Sequence, residues 1–133
     1  MNYLDDSCNL INPDEYLYTT TIDAWAKSTQ RDPEAPHAAE AILTRVENNP
    51  DVTPNTIAYN SVLNCWAKSS HPEAPRRVEA LLRRMQYFHQ IGINQNAKPD
   101  KISYNTVIIA WAKSDEKGSA QSAENLLKYT LST

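Results

Sequence analysis

YNSVLNCWAKS, residues 59–69, is written almost three times in this chain. Residues 18–28 read YTTTIDAWAKS and residues 104–114 read YNTVIIAWAKS, so the leading tyrosines are 41 and then 45 residues apart. A 133-residue chain that repeats itself at this period is an array of one supersecondary unit, not a domain with a single conventional core.

Within each copy a mostly apolar set falls at i, i+3, i+4 and i+7: Tyr18, Thr21, Ile22 and Trp25, then Tyr59, Val62, Leu63 and Trp66, then Tyr104, Val107, Ile108 and Trp111. That spacing puts them on one face of an amphipathic helix, the A helix of each unit. The aromatic residues on it are expected to pack between helices. Ala24, Cys65 and Ala110, with Ala26, Ala67 and Ala112, flank the tryptophans and are small enough for a neighbouring helix to approach closely.

After each AKS the pattern breaks, at QRDPEAPH (30–37), SHPEAPRR (70–77) and DEKGSAQS (115–122). Proline is tolerated in a first helical turn, so Pro33 or Pro36, and Pro72 or Pro75, mark the restarts. A second, B helix then reads AAEAILTRV (38–46), RVEALLRRM (77–85) and SAENLLKYT (122–130), with the apolar pairs Ile42 and Leu43, Leu81 and Leu82, Leu126 and Leu127 on its inner stripe. Extra residues follow the second B helix, and Gly92 is its expected stop. The chain is therefore all-α, built from antiparallel helix-turn-helix hairpins: residues 1–14 as the tail of a preceding repeat, 15–55, 56–100, and a truncated third repeat, 101–133. It reads as a fragment or a very short array.

Composition narrows the function. Two glycines against eight prolines suit helices with marked breaks, and a net charge of −3 gives no long-range field for a polyanion. Any nucleic-acid contact must then rest on local basic positions. Cys8 and Cys65 sit in dissimilar contexts without metal-ligand spacing, and no group of carboxylates announces a metal-dependent nuclease. No catalytic residue, metal, cofactor or small-molecule substrate is expected, and the chain reads as a non-enzyme. No apolar run approaches the roughly 20 residues needed to cross a bilayer, so no membrane partner is expected. The first 14 residues carry three aspartates and no lysine or arginine, which is unlike a transit peptide. His37, His71 and His89 are expected in solvent, and Arg76, Arg77, Arg83 and Arg84 on a solvated B-helix face.

A hairpin that opens with Tyr-Asn or Tyr-Thr, closes its A helix near AKS, carries an EALL-like B helix and ends in Pro-Asn or Pro-Asp resembles the pentatricopeptide repeat. Pro54-Asn55 and Pro99-Asp100 are such endings. The resemblance covers residues 15–133, and residues 1–14 by their ending, although these units are longer than is usual in that family. It implies an α-solenoid wound into a right-handed superhelix that binds single-stranded RNA in mitochondria or plastids, one base per repeat, for RNA processing. The base-reading residues it implies are Thr19 with Asn55, Asn60 with Asp100, and Asn105 without its partner, giving 5′-AU-3′. Tyr16, Ile57 and Ile102 match the apolar wedges between bases, and Lys27, Lys68 and Lys113, eight residues after each reader, match phosphate contacts. An asparagine amide offers a donor and an acceptor side by side, which suits a pyrimidine edge. The competing expectation is a protein partner held on the same face, as tetratricopeptide hairpins hold peptides. Two or three units predict weak isolated binding and aggregation or a low melting cooperativity.

Overall fold

The computed structural model describes residues 13–115 and 117–132. All regular structure among them is helical: α1 (Pro13–Ser28), α2 (Ala35–Glu47), α3 (Thr56–Lys68), α4 (Ala74–Gln90), α5 (Lys101–Ala112) and α6 (Ser119–Ser132). The helices pair as hairpins, α1 with α2, α3 with α4, α5 with α6. The expected tail, residues 1–14, lies outside the described residues except for Pro13 and Asp14, which open α1.

Local chemistry sets the boundaries. Pro36 and Pro75 lie in the first turn of α2 and α4, while Pro33 and Pro72 belong to the preceding turns. Those turns are held alike, by Glu34 N–H donating to Asp32 Oδ1 and Glu73 N–H donating to His71 Nδ1. The third hairpin has no proline there and turns instead at Gly118, whose φ of 87° suits a residue without Cβ. α4 runs to Gln90 and the chain then reverses through Gly92 at φ 81°, the expected stop.

α3 is the centre of the packing. α1 and α5 lie on either side of it, α2 packs on α1 and α3, α4 on α3 and α5, and α6 on α5. Tyr59, Val62, Leu63, Cys65 and Trp66 of α3 are accordingly all inaccessible to solvent. Fully burying one large apolar side chain contributes about 1.5–3 kcal/mol, so this one helix anchors much of the cluster. The small residues report the same arrangement. Cys65 and Ala110 are buried but Ala24 is exposed, and Ala26 and Ala67 are buried but Ala112 is exposed. Among the described residues α1 and α5 each have an A helix on one side only, so one small position on each meets water. Leu127 departs from the expected B-helix stripe for the same reason and is exposed, whereas Leu126 packs on the core.

The residues inserted after α4 fold back onto the junction between the first two hairpins. Asn94 is buried and donates through Nδ2 to Pro54 O at 2.7 Å, while Thr56 Oγ1 donates to Lys98 O at 2.6 Å. The insertion thus ties the loop before α3 to the loop before α5.

Candidate nucleic-acid interface

What faces outward on the A helices is decided by what is tied down behind them. Trp66 Nε1 donates to Glu40 Oε1 of α2 at 2.8 Å, and Trp111 Nε1 donates to Glu79 Oε1 of α4 at the same distance. The tyrosines one face-length earlier repeat the arrangement: Tyr59 OH donates to Glu47 Oε2 at 2.6 Å, and Gln86 Nε2 donates to Tyr104 OH at 3.0 Å. α3 and α5 are thus each pinned at two points to the B helix of the preceding hairpin. Burial, then the Glu47 carboxylate, pushes the Tyr59 phenol well above its ordinary range, and burial raises the Tyr104 phenol.

Two expectations change here. Arg84 bonds Glu47 at 3.0 Å, and Arg77 stands 3.6 Å from Glu40 with its guanidinium 5.2 Å from the Trp66 ring centre. These arginines join α4 to α2 and are half-buried, because the carboxylates that receive the aromatic donors need balancing; only Arg76 and Arg83 keep the solvated face. His37 and His71 are not in open solvent either. Both are half-buried with ring centres 4.9 and 5.4 Å from Trp66, since the two Pro-bearing turns close over that indole; His89 is half-buried near the end of α4.

The opposite face of each A helix stays accessible. In α1 it carries Tyr16, Thr19, Asp23 and Lys27; in α3, Ile57, Asn60, Asn64 and Lys68; in α5, Ile102, Asn105 and Ile109, followed by Lys113 at its C-cap. The spacing of three, four and four residues keeps each set on one stripe. The three expected wedges project from its N-terminal end, with Tyr16 74%, Ile57 63% and Ile102 62% exposed. Large apolar side chains so placed, one per hairpin, contribute nothing to the core.

The second expected reader is tied into a hydrogen-bonded cluster. Asn60 Nδ2 donates to Asp100 Oδ1 at 3.1 Å, Ser103 Oγ donates to Asn60 Oδ1 at 2.6 Å, and Ser103 Oγ is 3.0 Å from Asp100 Oδ1. In a planar amide the oxygen and nitrogen are about 2.3 Å apart, and partners on its outer sites would stand more than about 6 Å from each other. A separation of 3.0 Å therefore requires both partners on the same edge. The side-by-side donor and acceptor expected to meet a pyrimidine are engaged within the protein. What Asn60 offers outward is the remaining N–H and the remaining lone pair, on diverging sides. The carboxylate accepts only, so it fixes which end of the amide is nitrogen.

Asp100 also caps α5. Its Oδ1 accepts from Ser103 N–H at 3.0 Å while Ser103 Oγ accepts from Asp100 N–H at 3.1 Å, a capping box. Burial pushes the Asp100 carboxyl up, but the bonds it accepts from the Ser103 backbone and the Asn60 amide outweigh it and hold the carboxyl below its usual value. Asn55 is the corresponding cap of α3, accepting from Ala58 N–H at 2.9 Å, and it borders one small cleft with Thr19. The structure thus brings Thr19 near Asn55 and bonds Asn60 to Asp100. Asn105 is exposed on α5.

The lysines are not equivalent. Lys27 and Lys68 extend from the ends of α1 and α3 into solvent, whereas Lys113 Nζ donates to Ala67 O at 2.8 Å, meeting one of the carbonyls left open at the end of α3. Cys65 is a free, buried thiol held up by burial against the Thr29 hydrogen bond, and Cys8 lies outside the described residues. Among the described residues no three metal-ligating side chains converge, and no helix is long and apolar enough to cross a membrane.

No protein-family model, curated protein or solved structure matches this chain.

Three features escaped the sequence reading. Glu40, Glu79 and Glu124 occupy one B-helix register, in Ala39-Glu40, Val78-Glu79 and Ala123-Glu124, and that repetition was the available signal for the tryptophan acceptors. Asn55 and Asp100 directly precede helices, which marks them as caps. Ser103, three residues after Asp100, completes a cap-and-return pattern usually written with Glu or Gln.

Proposed function

We propose that the chain binds single-stranded RNA along the accessible faces of α1, α3 and α5, as a short α-solenoid of pentatricopeptide type with a right-handed superhelix. The observation that carries this reading is the thrice-repeated stripe: an exposed apolar side chain, a polar residue at the reading position, and a lysine two turns later. A base stacked between Tyr16 and Ile57 would meet Thr19 and Asn55, and one between Ile57 and Ile102 would meet Asn60, held by Asp100. Asn60 then contributes one hydrogen bond to the base, and its orientation decides whether that bond is given or received. The reading favours 5′-AU-3′. Lys27 and Lys68 supply phosphate contacts, and Lys113 does so once released from Ala67. Binding of this kind needs no catalytic group, and the resemblance that supports it extends to RNA processing in mitochondria or plastids.

Protein binding on the same face is the second reading, favoured by Asp23 and Ile109, which interrupt the stripe with a negative charge and an exposed apolar side chain. Fluorescence anisotropy with labelled single-stranded RNAs, a double-stranded control and two salt concentrations separates the two. The RNA reading expects single-strand binding that weakens with salt. With two free lysines the logarithmic salt slope is about −1.4, against about −2.1 if Lys113 also engages. Equal or absent binding of all RNAs would refute it.

A further inference from the structure

We propose that Ser103 is a positioning residue for the second base reader, acting from the third hairpin through Asn60; the assignment rests on the RNA-binding reading above. Ser103 is fully buried and cannot touch a bound base itself. Its hydroxyl has one proton and two acceptors in range, Asn60 Oδ1 at 2.6 Å and Asp100 Oδ1 at 3.0 Å, and the shorter bond takes it. The ring Asn60–Asp100–Ser103 is thereby closed.

Closure has a consequence that Asp100 alone cannot produce. With only the carboxylate as partner, the Asn60 amide can bond it through either of its two N–H groups when χ1 and the broad terminal torsion change together. One rotamer hides the donor-acceptor edge and the other frees it for a base. The Ser103 hydroxyl bonds Oδ1 only in the first. Ser103 thus selects the state in which Asn60 presents single, diverging atoms to the groove, and it makes the selectivity of one hairpin depend on the docking of the next. Position 58, the counterpart of Ser103 in the first junction, is alanine and offers no hydroxyl.

The capping box gives Ser103 a structural role as well, and the test must separate the two. Kd ratios are measured for a pair of RNAs that differ only at the base facing the second hairpin, for the wild type, Ser103→Ala, Ser103→Thr, Asn60→Ala and the double variant Asn60→Ala with Ser103→Ala, with thermal unfolding in parallel. The ratio is expected to change about five-fold in Ser103→Ala, the worth of one ordinary hydrogen bond. Ser103→Thr, which keeps the hydroxyl, is expected to restore it. In the Asn60→Ala background the serine change is expected to leave the ratio alone. A Ser103→Ala protein that loses stability, or affinity for both RNAs equally, with an unchanged ratio overturns the proposal.

The ring is also read without RNA. The side-chain amide protons of Asn60, followed by NMR in the free protein, are expected to shift and exchange faster in Ser103→Ala but not in Ser103→Thr. No change there overturns the proposal directly. A protein with the NMR signature that selects no base instead overturns the RNA reading, and the role of Ser103 in it, while the ring stands.

Discussion

Replacing Glu40 by alanine removes one carboxylate on which a buried indole and two guanidinium groups converge. Trp66 Nε1 would lose its acceptor at 2.8 Å while the ring stays fully buried, and Arg77 and Arg84 would lose a counter-charge at 3.6 and 4.0 Å. A hydrogen bond to a charged group is worth about 1.5–3 kcal/mol, and the half-exposed ion pairs add no more than about 1 kcal/mol between them. The expected loss is about 1.5–4 kcal/mol in urea unfolding monitored by tryptophan fluorescence. Glu40→Gln keeps an oxygen for the indole and is expected to lose less than about 1 kcal/mol. Glu124 occupies the same register on α6 but is exposed and pairs only with Lys128 at 3.1 Å, so Glu124→Ala is expected to cost a few tenths of a kcal/mol, roughly one helix-surface pair. Equal losses at Glu40 and Glu124 would refute the claim that the tryptophan–glutamate tie joins successive hairpins.

Tyr59→Phe deletes the 2.6 Å bond to Glu47 from the core and is expected to cost about 1.5–3 kcal/mol in the same unfolding assay. Because the folded state raises the Tyr59 phenol, its contribution is complete below the ordinary tyrosine value of 10.0 and is lost as pH rises through the folded value, so alkaline unfolding should lose part of its steepness in the variant. Asp100 carries the opposite sign. Its folded carboxyl lies below the ordinary 3.8, so its contribution is complete above that value and disappears as pH falls through the folded one; Asp100→Asn should flatten this acid limb in a pH series of unfolding curves. Tyr16→Ala should weaken RNA binding by about 1–3 kcal/mol with little change in melting temperature, because the ring stands in solvent and, on the proposed reading, stacks on a base.

The helices were legible in the sequence because their signal is local. Tyr59, Val62, Leu63 and Trp66 announce a buried stripe within eight residues, and Pro36, Pro75 and Gly92 mark restarts and a stop through backbone geometry alone. The polar joints were not legible, because they depend on the register between helices far apart in the chain. Ser103 meets Asn60 across 43 residues and Arg84 meets Glu47 across 37. No periodicity within one helix announces that Arg77 and Arg84 balance Glu40 and Glu47, or that two prolyl turns enclose Trp66 between histidines. The pairing of Asn60 with Asp100 came from resemblance. The edge of the amide that it uses came only from three distances around one ring.

The central claim is that Asn60 reads a base. Its most direct test is the Kd of the wild type and of Asn60→Ala for two short single-stranded RNAs, one carrying 5′-AU-3′ and the other with a purine in place of that uracil. We expect the wild type to prefer the uracil strand and Asn60→Ala to lose most of that preference, with nearly unchanged melting because the side chain is only half-buried. A preference that survives Asn60→Ala, or a wild type that never discriminates, would contradict the account.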